Sequence, residues 1–235
     1  MNEAFLPALV TMSPERSRVA TVKPITNTMN LFAASWQRCW RQVGASGDGA
    51  SIMEALLHAY SEPQRKYHTL QHLGECLALF ELHRRFAMEP GEVELALWFH
   101  DAVYDVHAGD NEARSADWAA QALRSGAVAE RRIEHVRSHI LATRHDAVPS
   151  GPDQQLVIDI DLAILGASSE RYAEYEQQVR DEYDWVPVHL FRIKRKALLQ
   201  EFLRRPRIYG TDAIFARREK AARANLKASI AALEE

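Results

Sequence analysis

Between residues 30 and 43, "NLFAASWQRCWRQV", the apolar side chains Leu31, Phe32, Trp36, Cys39, Trp40 and Val43 recur near the 3.6-residue helical period and predict an amphipathic helix. The glycine-rich "GASGDG", residues 44 to 49, ends it. "SIMEALLHAY" predicts a second, short helix opened by Ser51 as N-cap, with Glu54 three positions on completing a capping box. From Thr69 to about Phe86 apolar residues repeat at Leu73, Leu77 and Phe80, until "MEPGE" interrupts. The stretch Val93 to Val103 is apolar on nearly every side, which places a helix through the centre of the molecule. Further helices are predicted at about 111–125, 129–143, 154–165, 169–184, 187–204 and 212–233. Alternation of period two is missing, as are hairpin dipeptides between apolar runs and any 20 to 50 residue repeat. The expected fold is all-α: one irregular helical bundle over residues 29–235, preceded by a poorly ordered tail at 1–28 that carries two prolines and little periodicity.

Composition narrows the class without naming an activity. At 235 residues, 47% hydrophobic and 26% charged, the chain has the make-up of a globular enzyme with one sizeable core. With 29 basic against 32 acidic side chains the net charge is −3, so no global field attracts nucleic acid or an anionic membrane, and an anionic ligand must be held locally. Cys39 and Cys76 lack metal-type spacing and are too few for a disulfide framework, which fits reduced thiols. No apolar run approaches the roughly 20 residues that span a bilayer, and the acidic, broken N-terminus is unlike a signal peptide. A cytoplasmic location is expected, and Trp36, Trp40 and Trp185 are the candidates for a homodimer interface.

Three places embed ionisable residues in apolar surroundings. "YHTLQHL" carries His68 and His72 four positions apart, "LALWFHDAVYD" carries His100 and Asp101, and "DIDLAILG" carries Asp159 and Asp161. Each alone has an ordinary explanation: a satisfied core histidine, a helix cap, an ion pair. Together they need a common one, because a buried ionisable group costs several kcal/mol unless it is paired or bound to metal. Imidazole and carboxylate donors suit Mn²⁺, Fe²⁺, Co²⁺, Ni²⁺ or Zn²⁺, or Mg²⁺ through the carboxylates, better than the all-oxygen sets of Ca²⁺. Residues two apart on a helix point about 200° apart, so one of Asp159 and Asp161 faces inward.

The order H, HD, D resembles the HD-domain superfamily of metal-dependent phosphohydrolases. More narrowly, "YHTLQHL", "LALWFHDAVYD", "DNEARSA", "DIDLAILG" and the tail "YAEYEQQVRDEY" to "RIKRKALLQEFLRRPRIYGT" resemble a bacterial group of predicted HD-type phosphohydrolases, from about residue 30 to the end. That resemblance implies His72, His100, Asp101 and Asp161 as metal ligands, with Asp159 in reserve. It implies a general-acid role for His68, one turn before the metal histidine, as in the "YHN" element of cyclic nucleotide phosphodiesterases. The implied reaction is hydrolysis of a phosphomonoester or phosphodiester in a small, nucleotide-like molecule by water that the divalent ion activates.

Around this set stand the weaker candidates. Asp105, four residues past Asp101, shares its face if the helix continues and would orient the attacking water. Glu112 is a second carboxylate candidate, and His145 a candidate for contact with substrate or a second metal. Among many C-terminal cations Arg180 and Arg195 are singled out as phosphate clamps, against the plainer alternative of solvated charge. His135 and His139 keep open a di-iron oxygenase on the same scaffold, although their helix is studded with arginine, and a non-catalytic nucleotide- or metal-binding regulator is the third class.

Overall fold

The structure, a computed structural model, describes residues 24–234. Among them are ten α-helices and no strand. In chain order they are α1 (Pro24–Gln42), α2 (Ala50–Ala59), α3 (Leu70–His83), α4 (Pro90–Phe99), α5 (Asn111–Ser125), α6 (Glu130–Leu141), α7 (Pro152–Asp161), α8 (Ser169–Glu182), α9 (Val188–Arg204) and α10 (Asp212–Ala232). Short 3-10 turns at Arg84–Phe86, Ala142–Arg144 and Leu162–Gly166 extend α3, α6 and α7. The all-α expectation holds.

Residues 1–23 of the tail expected at 1–28 lie outside the described residues, while its last five, 24–28, belong to α1.

Every residue from Gly91 to Phe99 is buried, so α4 is the central rod, packed by α1, α3, α5, α6 and α7. Its one charged intrusion into the α1 side is satisfied: Glu94 accepts from Ser35 Oγ at 2.6 Å and pairs with Arg38, while Trp98 Nε1 donates to the same Ser35 hydroxyl. The helix expected to run to Val103 stops at Phe99. Arg65, itself buried, donates to the carbonyls of Asp101 and Ala102 and so holds this segment in a turn.

Two other local expectations change. Ser51 is not the cap of α2: Gly49 occupies that position at φ 61°, and Asp48 Oδ1 accepts the Ala50 N–H instead. The loop is drawn in because Trp36 Nε1 and Trp40 Nε1 donate to the carbonyls of Asp48 and Ser46. The same contacts remove two interface candidates, since Trp36 and Trp40 are core residues stacked on each other with centroids 5.1 Å apart. Only Trp185 remains exposed. No helix among the described residues is long and apolar enough to cross a membrane.

Candidate metal centre and its cavity

Three helices bring their ends to one point. His72 projects from the first turn of α3, which Thr69 caps by accepting the Gln71 N–H. His100 and Asp101 follow the last residue of α4, and Asp161 is the last residue of α7. Their donor atoms converge: His72 Nε2 and His100 Nε2 are 3.0 Å apart. Asp101 Oδ2 lies 3.0 Å from His100 Nε2 and 3.3 Å from His72 Nε2, and Asp161 Oδ1 lies 3.5 and 3.3 Å from the same two atoms. All four donor atoms fall within 4.8 Å of one another.

The chemistry of this set calls for a cation. His100 Nδ1 sits 2.8 Å from the Leu97 carbonyl, which can only accept, so Nδ1 carries a hydrogen and Nε2 is the nitrogen left facing His72 and the carboxylates, as a lone pair whenever the ring is neutral. Asp101 Oδ2 is buried and accepts no properly directed hydrogen bond despite its neighbours. Facing lone pairs and an orphaned carboxylate oxygen repel unless positive charge lies between them. Burial works against charging either imidazole, yet both pKa values are pushed well above the ordinary histidine range, His72 by Cys76 and Tyr67 and then the two carboxylates, His100 first by Asp101. Burial likewise opposes ionising Asp101 and Asp161, and the imidazoles outweigh it and hold both well below theirs. Donor spacings of 3.0 to 3.5 Å suit a single ion about 2.1 Å from each atom. The four residues therefore fit a metal ion.

Asp161, rather than Asp159, reaches the cluster. Asp159 is fully buried on the other side of α7, where it accepts the N–H groups of Gly210 and Thr211 and anchors the entry to α10. Cys76, which was not a candidate in the sequence, sits behind His72 with Sγ 3.8 Å from both ring nitrogens.

The cluster opens on a cavity of about 760 Å³ whose wall includes His68, Asp101, Glu112, His145, Asp161 and Arg195. His68 precedes α3 rather than lying on it, and its position is set by a residue the sequence did not single out. Glu182, the last residue of α8, accepts the backbone N–H groups of Lys66, Tyr67 and His68 on Oε1 and lies 2.8 Å from His68 Nδ1 through Oε2. Burial would raise its carboxyl, but His68 and those N–H groups hold it at about 2. The Tyr104 hydroxyl donates to the same carboxylate at 3.1 Å, and its ring stacks on His68 at 3.9 Å. Glu182 was present in the quoted "YAEYEQQVRDEY", but nothing in its spacing tells it from the other acids there.

His145 also meets the cluster: its Nε2 is 3.0 Å from Asp161 Oδ2, the oxygen turned away from the two imidazoles. Its backbone is left-handed at φ 59°, a conformation that costs a non-glycine residue about 1 to 3 kcal/mol and is over-represented at functional sites.

Several candidates are placed elsewhere. Asp105 is exposed and off any helix because α4 has ended; its carboxylate accepts the His107 N–H, and its backbone is tied to the Asn111 side chain. It does not line the cavity, so the shared-face argument for it fails. Arg180, expected as a phosphate clamp, is not part of the cavity wall: it donates to the carbonyls of Tyr183, Asp184 and Val186 over the Phe191 ring, fastening the α8–α9 corner. Arg195 reaches the cavity wall, but its charge is matched by Glu176 at 2.6 Å, with Tyr175 beneath the guanidinium. His135 pairs with Glu92 at 2.9 Å, and neither it nor His139 joins the metal-type cluster. Burial lowers His139 to about 4.

Comparison with protein-family models, with curated proteins and with solved structures finds no match to this chain.

Proposed function

We propose that the protein is a divalent-metal-dependent phosphoric ester hydrolase acting on a small, nucleotide-like phosphoester. The observation that carries this reading is the convergence of His72, His100, Asp101 and Asp161 donor atoms, one of them an orphaned buried oxygen, at the end of a cavity that also presents His68. The H, HD, D order and its resemblance to HD-type phosphohydrolases support it. A bound divalent ion supplies Lewis acidity toward a phosphoryl oxygen and makes water a better nucleophile near neutral pH.

The remaining work falls to this chain. An ionised Glu182 fixes the hydrogen of His68 on Nδ1 and leaves Nε2, which has no partner among the described residues, free for the cavity that His68 lines. When that nitrogen is also protonated, Glu182 stabilises the imidazolium, and Nε2 can pass its proton to the departing ester oxygen. Stacking on Tyr104 and three backbone bonds into Glu182 keep the ring from swinging away. His145 holds the outer oxygen of Asp161, so the inner one is turned toward the imidazoles.

The test is elemental analysis of protein reconstituted with Mn²⁺, Co²⁺ or Ni²⁺, followed by a phosphoester and nucleotide panel. About one ion per chain is expected in the wild type, with loss in Asp101→Ala and Asp161→Ala at unchanged helical circular dichroism, and turnover in the wild type alone. Unchanged metal content in the variants, or no turnover of any panel member by the metal-loaded wild type, would sink the proposal.

A further inference from the structure

The cavity wall opposite in character to the metal cluster is basic and apolar, and its cations are not equivalent. Arg144 pairs with Asp146 at 3.1 Å and Arg195 with Glu176 at 2.6 Å. Arg205 has no carboxylate within ion-pair distance among the described residues. It is half-buried directly after α9, its guanidinium carbon 4.6 Å from the centre of the Phe202 ring, and one nitrogen, Nη2, donates to the His145 carbonyl at 3.2 Å. Among the described residues Nε and Nη1 have no acceptor. Glu201, also on the cavity wall, offsets the Arg205 charge only in part, from beyond ion-pair distance, and is exposed, with Arg204 4.0 Å away. Burial without a paired carboxylate pulls the Arg205 pKa below its usual value, which marks a charge short of compensation.

Its location gives that shortage a meaning. The His145 residue whose carbonyl anchors Arg205 is the residue whose ring holds Asp161 of the metal cluster, so one residue ties the two sites together. Lys194, on the same wall, is exposed and likewise without an ion-pair partner. The same wall carries the apolar side chains of Val186, Phe191, Leu198 and Phe202 beside Arg195 and Glu201. A planar fork with two unused N–H groups matches two phosphate oxygens, which a lysine ammonium alone does not.

We propose that Arg205 is an oxyanion subsite that binds a phosphate group of the ligand, with the neighbouring apolar wall receiving a bulky apolar or aromatic group attached to it and Lys194 adding positive charge farther along the same wall. The subsite rests on the phosphohydrolase reading only for which phosphate it holds; anion binding by Arg205 does not require the metal.

The experiment is calorimetric titration of the full chain with inorganic phosphate and with adenosine monophosphate, in chelator-treated and Mn²⁺-supplemented protein. Both anions should bind the wild type in either state, the nucleotide more tightly. Arg205→Gln should weaken binding roughly tenfold or more and Lys194→Gln several-fold, as loss of charge-assisted contacts implies. Arg205→Lys should fall between, and Arg204→Gln, an exposed neighbour outside the cavity, should bind as wild type. Because Lys194 is exposed, its variant reports on the subsite even if Arg205→Gln does not fold. Absence of binding to the wild type, equal binding by the Arg205 and Lys194 variants, or an equal loss in Arg204→Gln overturns the subsite. Arg205-dependent binding with no turnover on any metal would keep the subsite and remove the hydrolase; turnover with kcat/KM indifferent to Arg205 and Lys194 would do the reverse.

Discussion

Glu182 shows how much one buried carboxylate can organise. It collects three backbone N–H groups, a histidine nitrogen and a phenol, and its carboxyl is held at about 2 although only 4% of the residue is exposed. A carboxyl whose folded pKa lies below its unfolded value, near 4.3, contributes stability that is fully present above the unfolded pKa and is lost as pH falls through the folded one. The window therefore runs from about pH 4.3 down to about 2, and the contribution at neutral pH is on the order of 3 kcal/mol. Glu182→Gln should lower urea stability by roughly that amount at pH 7, and the gap to wild type should begin to close below about pH 4.3. A gap that stays constant from pH 7 to 3 would show that shape, not charge, holds this corner. At the same scale, the metal-type residues were legible in sequence because carboxylates and imidazoles stand out in greasy helices. Glu182, Arg65 and Arg205 were not, because a charged residue in a charged stretch looks like solvated surface until its partners, here 36 to 116 residues away, are known.

At the level of elements, helix existence followed from periodicity, while helix ends were decided by side chains reaching in from elsewhere. The predicted helix over 154–165 is α7 plus a 3-10 turn, and the one over 129–143 is α6 plus another; in both, the change of pitch places a site residue, Asp161 or His145. The start of α2 is the clearest displaced boundary. A capping box at Ser51 was reasonable chemistry, but the indoles of Trp36 and Trp40 bind the preceding loop and move the cap to Gly49. A Cβ added at Gly49 would come within 2.8 Å of Trp40 Cε2 and 3.0 Å of Trp36 Cζ2, on a backbone already at φ 61°. Gly49→Ala should therefore cost about 2 to 4 kcal/mol, combining left-handed strain with a clash against rigid rings. Gly47→Ala, at φ 67° with nothing near, should cost only about 1 to 2 kcal/mol. Denaturant unfolding of the pair separates the two contributions, and equal losses would rule out the indole contact as the cause.

For the whole molecule, the four metal-type residues join α3, α4 and α7 around the central rod, so a bound cation would clamp three elements distant in sequence. A ligand that binds only the folded state stabilises it by about 2.7 kcal/mol at a hundred times Kd, worth roughly 5 to 10 °C in Tm for a chain of this size. Thermal melts should rise by that order on adding Mn²⁺ to chelator-treated wild type and stay flat in Asp101→Ala. An equal rise in both would locate metal binding somewhere else.

Sequence alone determined the all-helical class, the central apolar helix and the residue types that could hold a metal, because these depend on local period and on the cost of burying charge. Only the tertiary structure decided which aspartate of α7 reaches the cluster, that Asp105 and Arg180 serve turns, that Glu182 orients His68, and that Arg205 faces the cavity without an acid partner. Those outcomes rest on contacts between segments far apart in the chain, and pairing of that kind leaves no period in the sequence.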